Sequence, residues 1–241
     1  MKKILMAAVA LGVAQPAFAA DEDSKVFGEI GVGAGFSNTD LKFNNPNGTN
    51  FTSNTTNGDY IVLSGADDSD SSMNAYALVG YKLSPNFSIN ASYQYLGKFD
   101  ASGSATFIGF DFEQVLTTEA HGLYVGAAAS VDLSSNIFAE VTGDLGVAFV
   151  NSRGTQGANL GGPGVFPSAS HSNLSWGIGA GLGYRMSDKV SLVSRVRYFD
   201  AGNADTALSG PNANLLGMNT DERLETNLKT ATATLGLRFN F

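Results

Sequence analysis

Eight charged residues raise the first chemical question. Glu29, Lys82, Glu140, Asp144, Arg185, Arg195, Arg197 and Arg238 each stand in a run of alternating apolar residues, with an apolar neighbour directly after them. Three carboxylates and five cations on the buried side of such runs can persist only as paired ions, because an unpaired charge away from water is costly. Two uses fit that chemistry: a static plug of ion pairs, or a gate in which the pairs exchange partners to pass ions. A second candidate is His171 followed by Ser172, which would suit ester hydrolysis if the two converged. Adjacent residues of a strand point to opposite faces, and the following segment to Arg185 has no carboxylate to orient the histidine. Catalysis is therefore not expected. Acidic residues also gather at Asp59, Asp67, Asp68 and Asp70 and at Asp221, Glu222 and Glu225; oxygen ligands of this kind suit Ca²⁺ or Mg²⁺, but no EF-hand spacing is present and solvated charge explains them. Gly31 or Gly179 could begin a loose G-x-G-x-x-G, yet that motif needs a strand-to-helix junction and none follows. The expectation is no cofactor and no bound metal.

The elements that must position these residues are strands. In NLSWGIGAGLGYR, Gly177, Gly179, Gly181 and Gly183 alternate with Trp176, Ile178, Ala180, Leu182 and Tyr184. A period of two puts every apolar residue on one face and every glycine on the other. Eight segments share this alternation: KVFGEIGVGAGFS, MNAYALVGYKL, FSINASYQYLGKF, HGLYVGAAASVDL, IFAEVTGDLGVAF, the glycine segment, VSLVSRVRY and KTATATLGLRFNF. Ser84-Pro85-Asn86, Ser134-Ser135-Asn136 and Ser187-Asp188-Lys189 read as tight turns, whereas 38–72, 100–118, 152–172 and 200–227 read as long loops. Short and long connections alternate strictly. This asymmetry predicts a closed eight-stranded antiparallel up-and-down transmembrane β-barrel, with short periplasmic turns and four long extracellular loops. An 11-residue strand rising about 3.3 Å per residue at a tilt near 40° spans roughly 28 Å, the apolar thickness of a bilayer. In lipid every backbone group must pair, so the last strand must meet the first.

On this reading the apolar rows face hydrocarbon and the charged and glycine rows face the lumen, where each glycine makes room for a larger side chain opposite. Strand directions place Glu29, Lys82, Glu140, Arg185 and Arg238 near the periplasmic end, with Asp144, Arg195 and Arg197 further up. Expected pairs are Glu29 with Lys82 or Arg238 and Glu140 with Arg185. Two loop segments are unusually apolar, Tyr60-Ile61-Val62-Leu63 and Thr106 to Phe112. The second alternates and is expected either to extend its strands as a hairpin or to cap the mouth.

The ends and the composition agree. Residues 1–20 carry Lys2 and Lys3, an apolar run and Ala17-Phe18-Ala19, the form of a secretory signal with cleavage after Ala19 or Ala20; residues 21–241 then form one barrel domain. Without Lys2 and Lys3, 12 basic residues face 22 acidic ones, which argues against a nucleic-acid partner. No cysteine is present, so disulfides and thiolate metal sites are excluded.

WGIGAGLGYRMSDKVSLVSRVRYFDAG and the terminal TATLGLRFNF resemble the small OmpA/OmpX-type outer-membrane β-barrels over Lys25 to Phe241. The resemblance implies an integral protein of the bacterial outer membrane whose final aromatic strand, with Phe239 and Phe241, is read by the barrel-assembly machinery. It also implies that the peptidoglycan-binding domain of full-length OmpA is not part of this chain. Together these readings predict a non-enzymatic barrel with a structural and surface role: envelope integrity, contact with outer-membrane lipid and lipopolysaccharide, and adhesion or host and matrix contacts through 38–72 and 100–118. The alternative is a small pore or transport barrel for ions or small hydrophobic molecules. The polar lumen row argues against a hydrophobic conduit.

Overall fold

A computed structural model describes residues 25–44, 60–61, 64–67, 69–107, 110–159, 162–207 and 223–241. The expected signal segment and Asp59, Asp68, Asp221 and Glu222 lie outside these residues. The strands are β1 (Val26–Asn38), β2 (Lys42–Asn44), β3 (Tyr60–Ile61), β4 (Ser64–Asp67), β5 (Ser69–Ser84), β6 (Phe87–Phe107), β7 (Phe110–Asp132), β8 (Ile137–Asn159), β9 (Gly162–Arg185), β10 (Val190–Asp205) and β11 (Arg223–Asn240).

Eight of them, β1 and β5 through β11, form an antiparallel ring in which each neighbours the next in sequence. The ring is closed by β1 against β11, from Phe27 opposite Asn240 to Asn38 opposite Lys229. Closure satisfies both terminal edges, the condition hydrocarbon imposes on a sheet. The chain is a closed β-barrel. The remaining short strands decorate its extracellular end: β2 pairs with β11 and β3, and β4 pairs with β6.

Alternation is realised as the physics of the two faces requires. Ile30, Val32, Val79, Val125, Val141, Leu145, Ile178, Leu182, Val196 and Leu235 are exposed on the outside, while Glu29, Tyr76, Gln94, Glu140, Arg195 and Arg197 are buried within. Trp176 and Tyr198 pack 5.8 Å apart, and His121 stacks on Phe149 at 5.4 Å with Tyr93 beyond it at 6.0 Å. These rings stand at the extracellular ends of the apolar rows, where an aromatic girdle belongs. The periplasmic turns close locally: Leu133 N–H donates to Ile137 O at 2.9 Å, Met186 N–H to Val190 O at 2.9 Å, and Ser134 Oγ accepts from Ile137 N–H at 3.1 Å.

The extracellular connections stand where expected, but 100–118 and 152–172 are built largely from strand, and the described ends of 200–227 continue their strands too. β6 and β7 run on to a hairpin that brings Phe107 opposite Phe110, β8 and β9 meet at Asn159 opposite Gly162, and β10 and β11 reach Asp205 opposite Glu225. Their sequences hide this because above the membrane the outward face borders water, so its apolar residues give way to polar ones such as Lys98, Glu119, Asn151 and Arg153 while the ladder continues. β6 to β9 hold 21 to 24 residues each, against 13 to 18 in β1, β5, β10 and β11. At about 3.3 Å per residue and a tilt near 40°, a 24-residue strand climbs roughly 60 Å, about twice the apolar span.

Candidate functional site

The glycine row of β9 explains how charge fits inside the barrel. A Cβ on Gly181 would lie 2.9 Å from Arg195 Cγ, and one on Gly179 would lie 2.2 Å from Arg197 Cγ; Gly177 and Gly183 face the rings of Phe199 and Phe138 in the same way. Each missing side chain is the space that a long neighbour on β8 or β10 occupies. Tyr76 is accommodated similarly: it lies over Gly31 on β1 and reaches Gly236 on β11.

In that space two carboxylates and two guanidinium groups alternate around a ring. Arg195 Nε donates to Glu140 Oε1 at 2.5 Å, its Nη2 donates to Glu29 Oε2 at 2.8 Å, and its Nη1 pairs with Glu29 Oε1. Arg238 completes the circuit, with Nε on Glu29 Oε2 and Nη2 on Glu140 Oε2, each at 2.8 Å. Tyr76 braces the ring, its hydroxyl donating to Glu29 Oε1 at 2.5 Å and accepting from Arg195 Nη1 at 2.8 Å. Formal charge cancels within the ring, and every carboxylate oxygen has a donor, so desolvation is compensated at the point where it is largest. Rings of Phe27 and Phe138 lie 4.8 and 5.4 Å from the Arg238 guanidinium carbon and close the periplasmic side.

Arg197 forms the next layer. Its guanidinium lies over Tyr76 at 4.7 Å and Phe199 at 5.5 Å, while the Asp144 carboxylate is 3.9 Å away, beyond hydrogen-bond distance. Cation–π contact therefore holds this arginine as much as charge pairing does. Between the two layers an internal void of about 10 Å³ is bordered by Asn90, Thr142, Asp144, Arg195 and Arg197, about the space of one water.

Of the two expected pairings, Glu29 with Arg238 is found and Glu140 with Arg185 is not. Arg195, expected further up the lumen, belongs to the ring with Glu29 and Glu140, because the register sets it opposite Gly181 and Gly181 opposite Glu140, and the missing Gly181 side chain leaves it room. Arg185 reaches outward to Asp132 and to Ser135 O at 3.2 Å instead of to Glu140. Lys82 donates to Asn240 Oδ1 at 2.9 Å, so Glu29 takes Arg238 of the two partners considered. Tyr76, Asp132 and Asn240 were not singled out by residue type. An inward tyrosine flanked by glycines on the neighbouring strands was the available signal for Tyr76.

Above Tyr124 and Phe199, whose rings are 5.3 Å apart, the interior turns apolar. Leu96, Phe99, Ala120, Val150, Phe199, Ala201, Ala204 and Leu228 form one buried cluster, and Leu41, Phe43, Ala101, Leu116, Phe166 and Leu224 form another nearer the mouth. The expectation of a polar lumen thus holds for the periplasmic half alone. Inward Leu, Val, Phe and Ala residues on β6, β7, β8, β10 and β11 make it so, and a pair of β-bulges adds to them. Gly97 (φ 127°) and Gly202 (φ 79°) each add a residue to one strand and invert its inward parity, turning Phe99 and Ala101 of β6 and Ala204 of β10 to the interior.

At the rim His171 and Ser172 diverge as expected, Ser172 being exposed. The histidine does have a carboxylate, supplied by the neighbouring strand: His171 Nε2 lies 3.0 Å from Asp205 Oδ1, and Arg223 is 3.4 Å from Asp205 Oδ2. Among the described residues, no group of three His, Asp or Glu side chains gathers for a metal ion. Phe239 and Phe241 are exposed on the outer face at the periplasmic end.

Comparison with known proteins agrees with this geometry. A family model for the outer membrane protein beta-barrel domain matches residues 5–241. No curated protein matches the chain in sequence. Among solved structures, the outer membrane protein OprG from Pseudomonas aeruginosa is 12% identical with a TM-score of 0.53, covering 90% of this chain and 98% of that one. The outer membrane protease OmpT from Escherichia coli is 10% identical with a TM-score of 0.53, covering 90% and 96%. At such identities the likeness is one of fold. A closed ring with an apolar exterior and a charged interior, matched along its length by the family model, leads to one conclusion: the chain belongs to the outer membrane protein beta-barrel domain family and resides in the bacterial outer membrane.

Proposed function

We propose that the protein is a sealed anchor whose work lies at the cell surface. The observation that carries this reading is the ring of Glu29, Arg195, Glu140 and Arg238, which crosses the lumen with each oxygen already paired and leaves a void of about 10 Å³ beside it. A conducting path needs a wetted lumen, and here charge, aromatic rings and an apolar cluster follow one another along the axis. The function then resides in strands β6 to β9, which rise beyond the membrane and present polar outward rows including Lys98, Glu119, Asn151 and Arg153. Outer-membrane lipid and lipopolysaccharide would meet the girdle and these rows, and host or matrix proteins would meet segments 38–72 and 100–118. Phe239 and Phe241 stand where the barrel-assembly machinery would read the last strand. Catalysis has no part in this reading, since Ser172 faces away from the His171–Asp205 pair.

Planar-bilayer recording of the purified protein checks the proposal. The expected outcome is no steady conductance at neutral pH, together with reduced surface binding by cells lacking the protein. A large open conductance would favour the pore instead.

A further inference from the structure

Inside the lumen Asn90, Gly126 and Asp144 stand side by side across β6, β7 and β8, and in the next inward row toward the periplasm Thr142, Gly179 and Arg197 do the same across β8, β9 and β10. The two glycines open a notch. A Cβ on Gly126 would lie 2.3 Å from Asp144 Oδ1 and 3.1 Å from Asn90 Oδ1, and one on Gly179 would lie 3.1 Å from Thr142 Oγ1. Asn90, Thr142, Asp144 and Arg197 all border the internal void of about 10 Å³, as do Arg195 and Arg238.

The polar atoms gathered there are not matched to one another. Asn90 Oδ1, Thr142 Oγ1, Asp144 Oδ2 and Arg197 Nε and Nη2 are buried, and none has a hydrogen-bond partner among the described residues. Asp144 and Arg197 are only 7% and 3% exposed, so bulk solvent does not serve them. Left so, each would carry its full desolvation penalty. Arg197 Nη1 lies 3.9 Å from Asp144 Oδ2, too far for a direct bond and near the separation that two hydrogen bonds to one shared oxygen produce.

What the notch can hold follows from charge and size. A cation would meet three guanidinium groups, since Glu29 and Glu140 are already taken by Arg195 and Arg238. An anion would meet the Asp144 carboxylate and the Asn90 oxygen. The occupant must therefore be uncharged, must both donate and accept, and must fit a space that admits a single water. We propose that the notch is a binding site for one resident water molecule, which donates to Asp144 and Asn90 and accepts from Arg197 and Thr142. Its four hydrogen bonds are then complete. The Asp144–Arg197 pair is bridged where the ring below is direct, and Arg197 stays on the rings of Tyr76 and Phe199 while Asp144 still answers its charge. This site goes beyond surface display and does not depend on it.

Solid-state NMR of the whole protein in lipid bilayers tests the site, through magnetisation transfer from water to carbon-bound protons. Transfer is expected to the Gly126 α-protons and the Thr142 methyl group, and not to the Ala148 methyl group, which is buried in the apolar cluster. Gly126→Ala puts a methyl group in the notch and should bring the Thr142 transfer down to the noise. No transfer to Gly126 in the wild-type protein, or a Thr142 transfer unchanged in Gly126→Ala, would overturn the proposal. So would Asn90 and Thr142 signals that shift when sodium is exchanged for potassium or chloride for bromide, because the occupant would then be an ion. Heat-modifiable gel mobility verifies that each variant is folded; if Gly126→Ala is not, Thr142→Val, which removes one of the four hydrogen bonds, should weaken the Gly126 transfer, and an unchanged transfer there counts against the site. Conductance, which tests the sealed-anchor reading, is measured separately, so the two can fail independently.

Discussion

The periplasmic and extracellular halves of the lumen solve the same problem with opposite chemistry. Both must fill a narrow cylinder. The lower half does so with two carboxylates and two guanidinium groups locked in a ring, while the upper half does so with leucine, phenylalanine, valine and alanine. The difference follows from what the wall offers. In the lower half the ladder is continuous and rigid, so fixed hydrogen-bond geometry can hold charges that would otherwise be costly to desolvate. In the upper half the β9–β10 ladder stops at Trp176 opposite Asp200 and the β5–β6 ladder at Ala75 opposite Tyr95; non-directional apolar packing suits a wall with such breaks.

Removing one partner from each half shows how unlike they are. Arg195→Ala leaves Glu29 and Glu140 buried with Arg238 alone between them, and should cost about 5 kcal/mol, the upper end for breaking a buried ion pair; urea unfolding of the detergent-solubilised barrel measures it. Phe199→Ala opens a cavity in a cluster whose wall is interrupted on two sides and can partly collapse onto it, so about 3 kcal/mol is expected, the lower end for such truncations. If Phe199→Ala proved the more damaging of the two in the same assay, the contrast between a rigid and a yielding half would be broken. Arg185→Ala removes an ion pair with Asp132 whose members are 37% and 65% exposed, and should cost less than about 1 kcal/mol and shrink further at high salt. That small value against the large one for Arg195 sharpens the point that position in the barrel, not residue type, decides what an arginine contributes.

Much of this was legible in the residues. Period-two alternation identifies all eight wall strands, and the Ser-Ser-Asn and Ser-Asp-Lys turns give their order and direction, because a strand bordering lipid has to declare its face in every second residue. The glycine row of β9 likewise signalled large neighbours. What stayed hidden depended on depth and reach. Arg195 could be placed on the lumen face, but whether it meets Asp144 or Glu140 depends on the register between three strands, which sets Arg195 opposite Gly181 and Gly181 opposite Glu140. Gly97 and Gly202 look like any other glycine until a positive φ and a shifted register reveal that each reverses the face of everything after it.

The primary structure alone thus decided the solvent of each face, the number of wall strands and their closure, since these follow from local periodicity and from hydrocarbon's intolerance of unpaired backbone. Only the folded ring decided which charges meet, where the lumen changes from ionic to apolar and where two ladders stop. Those features join residues more than a hundred positions apart, such as Glu29 and Arg195, and no local pattern encodes the distance between side chains that face each other across a cylinder.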